Sequence, residues 1–166
     1  MKLFLIGLPG SGKTTLGKKV ATYLQTPFFD LDEEIERLAN KPVREIFAGE
    51  GEAAFRRMES ETLQKLIEEN SDFVMATGGG APCFHDGISI MNQAGVTVFL
   101  DVPVYELEKR LQAEQKQNRP LLSGTKSIAE TLNALRETRI SFYEKARISI
   151  HEDQPDVMTI ITRLAR

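Results

Sequence analysis

The sequence predicts an α/β protein, a parallel sheet with helices on both faces in three layers. Three observations lead there. Short apolar runs alternate with stretches of helical periodicity along the chain. Those runs are apolar nearly throughout, as strands buried on both faces are. The first run feeds a glycine-rich turn that opens a helix, "GLPGSGKTT", Gly7 to Thr15. In such sheets ligands bind beyond the carboxyl ends of the strands. Gly7, Asp30, Gly78 and Asp101 lie just past strand ends and are expected to gather on one edge.

The elements follow in order. "KLFLI" (2–6) reads as a buried strand that stops at Gly7. From about Lys13 to Leu24, Leu16, Val20, Ala21 and Leu24 recur at helical spacing. "PFFDLD" is a second short strand ending in acid. "DEEIERLA" is helical, with acids in its first turn where the dipole favours them, and Asp32 is a plausible N-cap for a start near Glu33. "VREIF" and then Glu52 to Ile67 give further helix. "DFVMATGGG" is a third strand running into glycines, and "VTVFLDVP" a fourth. "VYELEKRLQAEQ" is helix, followed by the polar stretch "KQNRPLLSG". Ile128 to Lys145 is a long helix, Ile148 to Ile150 a short strand, and Val157 to Leu164 a closing helix.

The 166 residues set a prior of one domain, 1–166, with 41% apolar and 27% charged residues, as in ordinary globular chains. A net charge of −3 argues against a general nucleic-acid or anionic-membrane partner, so an anionic ligand needs a local basic cluster. The single cysteine, Cys83, allows no intrachain disulfide. No apolar run approaches the roughly 20 residues of a membrane span. The expected location is the cytoplasm, and a monomer is the expected state.

Gly7, Gly12, Lys13 and Thr14 fit G-x-x-x-x-G-K-[ST] between a strand and a helix. Gly10 and Gly12 let backbone N–H groups converge on an anion, and the helix start adds its free N–H groups and dipole. Gly10, Ser11, Gly12, Lys13, Thr14 and Thr15 are therefore candidate ATP-phosphate ligands. Lys13 would reach the β- and γ-phosphates and Thr14 would offer its hydroxyl to Mg²⁺. Thr15 stands where a dinucleotide-binding G-x-G-x-x-G would need its third glycine.

A phosphate loop alone does not name the acceptor. No N-K-x-D-like guanine-reading stretch occurs, and the third strand ends "VMATGGG" with no acid for Mg²⁺. "DLD" offers a replacement. Asp30 and Asp32 point the same way in an extended chain and could hold Mg²⁺ through water and accept a proton from a hydroxyl. Arg56 and Glu59 are three apart on a helical face, so Glu59 could orient Arg56. Gly78, Gly79 and Gly80 leave backbone free for close approach of a ligand.

Taken in order, "GLPGSGKTT", "DLD", "FRRMES", "GGG", "NRPLL" and "RISFYEKA" resemble the shikimate kinase family over the whole chain. The resemblance implies a P-loop kinase fold like the nucleoside monophosphate kinases. It would have a five-stranded parallel sheet, a substrate-binding region at about 31–62 and a lid at about 112–125. It implies ATP-dependent phosphorylation of the 3-hydroxyl of shikimate, in aromatic amino acid biosynthesis by way of chorismate. Asp32 would bind the shikimate hydroxyls and serve as base, and Asp30 would sit by Mg²⁺ through water. Arg56 and Arg139 would grip the carboxylate, and Gly78, Gly79 and Gly80 would line the ring. Arg119 would reach the transferring phosphate from the lid, and Arg110 and Pro155 would flank adenine.

One departure concerns the adenine end. Many relatives carry a basic residue shortly before the matching proline, where this chain reads "HEDQP" (151–155). His151 reads as a surface residue, and Cys83 and His85 as structural. Two other readings stay open, another small-metabolite kinase such as a gluconate kinase, and a catalytically silent nucleotide-binding regulator. Arg56 and Arg139 with "DLD" and "GGG" discriminate against the first, and the presence of every residue needed for transfer counts against the second.

Overall fold

The computed structural model describes residues 1–115 and 127–166. Five strands form one sheet: β1 (Lys2–Ile6), β2 (Phe28–Asp30), β3 (Phe73–Ala76), β4 (Val96–Leu100) and β5 (Ile148–Ile150). Their spatial order is β2-β3-β1-β4-β5, with every neighbouring pair parallel. The helices are α1 (Lys13–Leu24), α2 (Leu31–Ala39), α3 (Val43–Glu69), α4 (Gly87–Ala94), α5 (Val104–Gln115), α6 (Ile128–Tyr143) and α7 (Val157–Leu164).

The period of two in β1 divides the core. Leu3 and Leu5 pack with Leu16, Val20 and Ala21 of α1 and Ile160 of α7. Phe4 and Ile6 face the other way, onto residues of α2 to α6 such as Ile35, Phe55, Met91, Leu107 and Tyr143. The sheet is thus covered on both faces, which is why its strands read as continuous apolar runs. Register pairs Leu5 with Ala76, Ile6 with Phe99, and Leu100 with Ile150. Gly7, Asp30, Gly78 and Asp101 therefore meet on the carboxyl edge as the sequence predicts. Among the described residues, no helix is long and apolar enough to cross a membrane.

Some elements differ from the sequence reading. The second helix starts at Leu31, not near Glu33, and Asp30 rather than Asp32 is its N-cap. Leu31 and Ile35 are both 0% exposed, and burying this i, i+4 pair sets the helical phase two residues early. "GISIMNQA" forms α4, which the sequence reading did not mark, burying Ile88 and Met91. Helix α6 ends at Tyr143, short of Lys145, and begins in a capping box between Ser127 and Glu130. Within α3 the backbone breaks at Gly51 (φ 84°, ψ 169°), so "VREIF" and the stretch after Glu52 are two helical pieces, as expected.

Candidate active site

The loop after β1 is built to hold an anion. Gly10 and Gly12 have φ of 82° and 91°, a left-handed conformation that a side chain would resist. Gly12 is the N-cap of α1 and no side chain caps that end, so its first N–H groups remain open to a ligand. Lys13 folds over the loop. Its Nζ donates to the carbonyls of Gly7 at 2.8 Å and Leu8 at 2.9 Å. Burial pushes its pKa down to about 8 and the charge of Arg139 adds to that, while Asp32 and Asp30 oppose it.

Asp30 and Asp32 both face this loop, by a geometry other than the extended one. Asp30 closes β2 and divides its carboxylate. Oδ1 accepts the N–H groups of Asp32 and Glu33 at 3.1 and 3.3 Å, and Oδ2 accepts the Thr14 hydroxyl at 2.7 Å. A hydroxyl and a carboxylate in contact beside a phosphate loop are hard oxygen donors of the kind Mg²⁺ takes, so Thr14 and Asp30 fit that ion. Asp32 lies in the first turn of α2, and its Oδ1 is buried without a partner. Its pKa is raised, by burial first and then by the charge of Asp30.

Opposite lies a glycine ledge. A Cβ on Gly79 would stand 2.5 Å from Nη1 of Arg139, and one on Gly80 would stand 2.5 Å from both Nη atoms of Arg56. A Cβ on Gly78 would meet Asp32 Oδ1 at 3.0 Å and Glu59 Oε2 at 3.3 Å. The glycines thus let two guanidinium groups and two carboxylates close on one small space. Arg56 and Glu59 pair at 2.9 Å and are 8% and 3% exposed, so this is a buried pair and not a surface one. Burial raises the pKa of Glu59 while Arg56 opposes the shift, and Glu59 Oε2 and Arg56 Nε have no partner. Such orphaned groups are costly unless a ligand completes them.

Arg110 and Pro155 line the same cavity of about 640 Å³ as Gly10 to Thr15. Arg110 donates to the carbonyl of Gly10 at 3.1 Å and to that of Asp153 at 2.6 Å. Arg119 and most of the expected lid lie outside the described residues.

Sequence reasoning missed Tyr143, which is 0% exposed and donates its hydroxyl to the Gly79 carbonyl at 2.6 Å. Its signal was present, four residues after Arg139 and hence on the same helical face. It also missed a cluster at Asp101, which accepts from Arg136 Nη1 at 2.8 Å and sits 2.8 Å from His151 Nδ1. His151 is exposed, as expected, but it is not unpaired.

A phosphate loop on a 2-3-1-4-5 parallel sheet, facing a compact polar acceptor space, defines a small P-loop kinase. The family model described as "Shikimate kinase" matches residues 9–166, and the chain belongs to the shikimate kinase family. A shikimate kinase of Bacteroides fragilis is 41% identical over 172 residues, covering 100% of this chain and 95% of the relative. The solved shikimate kinase of Bacteroides thetaiotaomicron superposes with a TM-score of 0.87 at 39% identity, covering 99% of this chain and 96% of that one. The Acinetobacter baumannii shikimate kinase, solved in complex with shikimate, gives 0.83 at 34%, covering 99% and 90%. A gluconokinase of Sinorhizobium meliloti, at 0.65 and 19%, covering 99% and 91%, shares the fold alone.

Proposed function

We propose that this protein transfers the γ-phosphoryl group of ATP to the 3-hydroxyl of shikimate. The observation that carries this reading is the glycine ledge that admits Arg56, Arg139 and Asp32 to one space in front of the phosphate loop. Two guanidinium groups from different helices suit a two-point grip on a small carboxylate. The unpartnered Asp32 oxygen suits a hydroxyl donor, and its raised pKa makes it a better base than an ordinary aspartate.

Bound Mg²⁺-ATP supplies the phosphoryl group and part of the charge neutralisation. Gly10, Ser11, Gly12, Lys13, Thr14 and Thr15 would hold the phosphates, Arg110 and Pro155 the adenine, and Thr14 and Asp30 the metal, Asp30 through water. Lys13 and Arg119 would steady the charge on the transferred group, Arg119 from a lid at about 112–125 that excludes water on closing. Gly78, Gly79 and Gly80 would line the ring within a substrate-binding region at about 31–62. The chain would act as a single domain, 1–166, a cytoplasmic monomer with no nucleic-acid or membrane partner, in keeping with its net charge of −3.

A steady-state panel of small hydroxy acids with Mg²⁺-ATP tests this. Shikimate is expected to turn over fastest. Faster turnover of gluconate would overturn the acceptor, and absence of ADP release with shikimate would favour a nucleotide-binding regulator.

A further inference from the structure

Arg56 is held by carboxylates at its edges and by aromatic rings at its faces. Glu59 accepts from Nη1 at 2.9 Å and Glu52 from Nη2 at 3.4 Å. The Phe84 ring centroid lies 4.2 Å from the guanidinium carbon and that of Phe55 lies 5.2 Å from it. Phe55 belongs to the core, but Phe84 is 38% exposed, so core packing does not account for its place.

The backbone carrying Phe84 is unusual. The Gly87 N–H donates to the Phe84 carbonyl at 2.9 Å, closing a four-residue turn. Its central residues, His85 and Asp86, both have positive φ, 48° and 56°. This is the mirror-image turn that glycine, asparagine and aspartate ordinarily make. Aspartate and histidine are among the side-chain residues that accept this conformation, so the turn is a defined one that fixes where Phe84 stands. The turn joins the 3₁₀ segment Ala81–Cys83 to α4 and leaves the Phe84 ring over Arg56.

We propose that Phe84 is a positioning residue for the acceptor site, its ring fixing the plane of the Arg56 guanidinium and shielding one face from water. A cation over a ring face is drawn to it more strongly as water is removed. With that plane fixed, Arg56 presents its unpartnered Nε and its loosely held Nη2 as a ready fork for a carboxylate. Less orientational freedom is then lost when substrate binds. The inference rests on Arg56 as a ligand of the shikimate carboxylate.

Steady-state kinetics of F84L, F84Y and R56K test it. F84L keeps an apolar side chain but removes the ring. Its KM for shikimate is expected to rise about three- to tenfold, with kcat and the KM for ATP unchanged. F84Y keeps the ring and is expected to keep the wild-type KM. An unchanged shikimate KM in F84L with a raised one in R56K overturns the role of Phe84 and leaves that of Arg56 standing. An unchanged shikimate KM in R56K overturns both. Equal damage in F84L and F84Y, or a loss in F84L spread over kcat and the KM for ATP, also overturns the proposal.

Discussion

Lys13 carries the clearest titration of the site. Its ammonium is satisfied by the carbonyls of Gly7 and Leu8, yet desolvation brings its pKa to about 8. A bound polyphosphate favours the charged form and so raises that pKa. The complex then holds more protons than the free protein at high pH, so nucleotide affinity is full below pH 8 and falls as pH rises through 8. The Kd for ADP is expected to weaken about tenfold between pH 7 and pH 9, measured by titration calorimetry. A flat profile over that interval would mean that Lys13 does not titrate there. Lys13 itself was legible in the sequence because its motif is local. Phe84 was not, because nothing in the spacing of residues 56 and 84 says that a mirror-image turn brings them face to face.

Among the elements, the junction of β2 and α2 has two tasks resting on one side chain. Asp30 caps α2 with Oδ1 and takes the Thr14 hydroxyl with Oδ2. Asparagine caps a helix about as well as aspartate but carries no charge. D30N is therefore expected to keep wild-type stability in urea while losing activity and requiring more Mg²⁺. D30A is expected to lose about 1 kcal/mol of stability as well. If D30N unfolds as readily as D30A, the cap depends on charge and the two tasks are not separable. This junction also shows how far elements can be read from sequence. "DLD" located the carboxylates, but the cap fell on the wrong one, because burial of Leu31 with Ile35 starts the helix earlier than its acidic residues suggest. Helix α4 went unmarked because eight residues give the helical period little more than two turns to declare itself. By contrast α1 and α7 were placed to the residue, each bounded by a glycine-rich turn or an acidic cap.

At the scale of the whole molecule, apolar runs alternating with helices foretold a parallel sheet, but not which strands are neighbours. The order β2-β3-β1-β4-β5 sets β4 between the phosphate-loop strand and β5. That placement is what assembles Asp101, Arg136 and His151, residues that no sequence spacing connects. Asp101 follows β4, Arg136 lies one turn before Arg139 on α6, and His151 follows β5 in the segment leading to Pro155. The same segment is tied to the phosphate loop by Arg110, which bonds the carbonyls of both Asp153 and Gly10. One carboxylate thus anchors α6, which carries Arg139, and the segment that leads to Pro155 in the cavity wall together. D101N keeps the shape and removes the carboxylate that both partners share. Arg136 and Asp101 are partly exposed, so the pair is worth about 0.5–1 kcal/mol. The KM values for shikimate and for ATP are each expected to rise about two- to fivefold in D101N, since both walls lose the same anchor. R139A, by comparison, should move the KM for shikimate and leave that for ATP alone. If D101N shifts only one of the two constants, Asp101 anchors one wall, and the two halves of the site are held in register by the sheet alone.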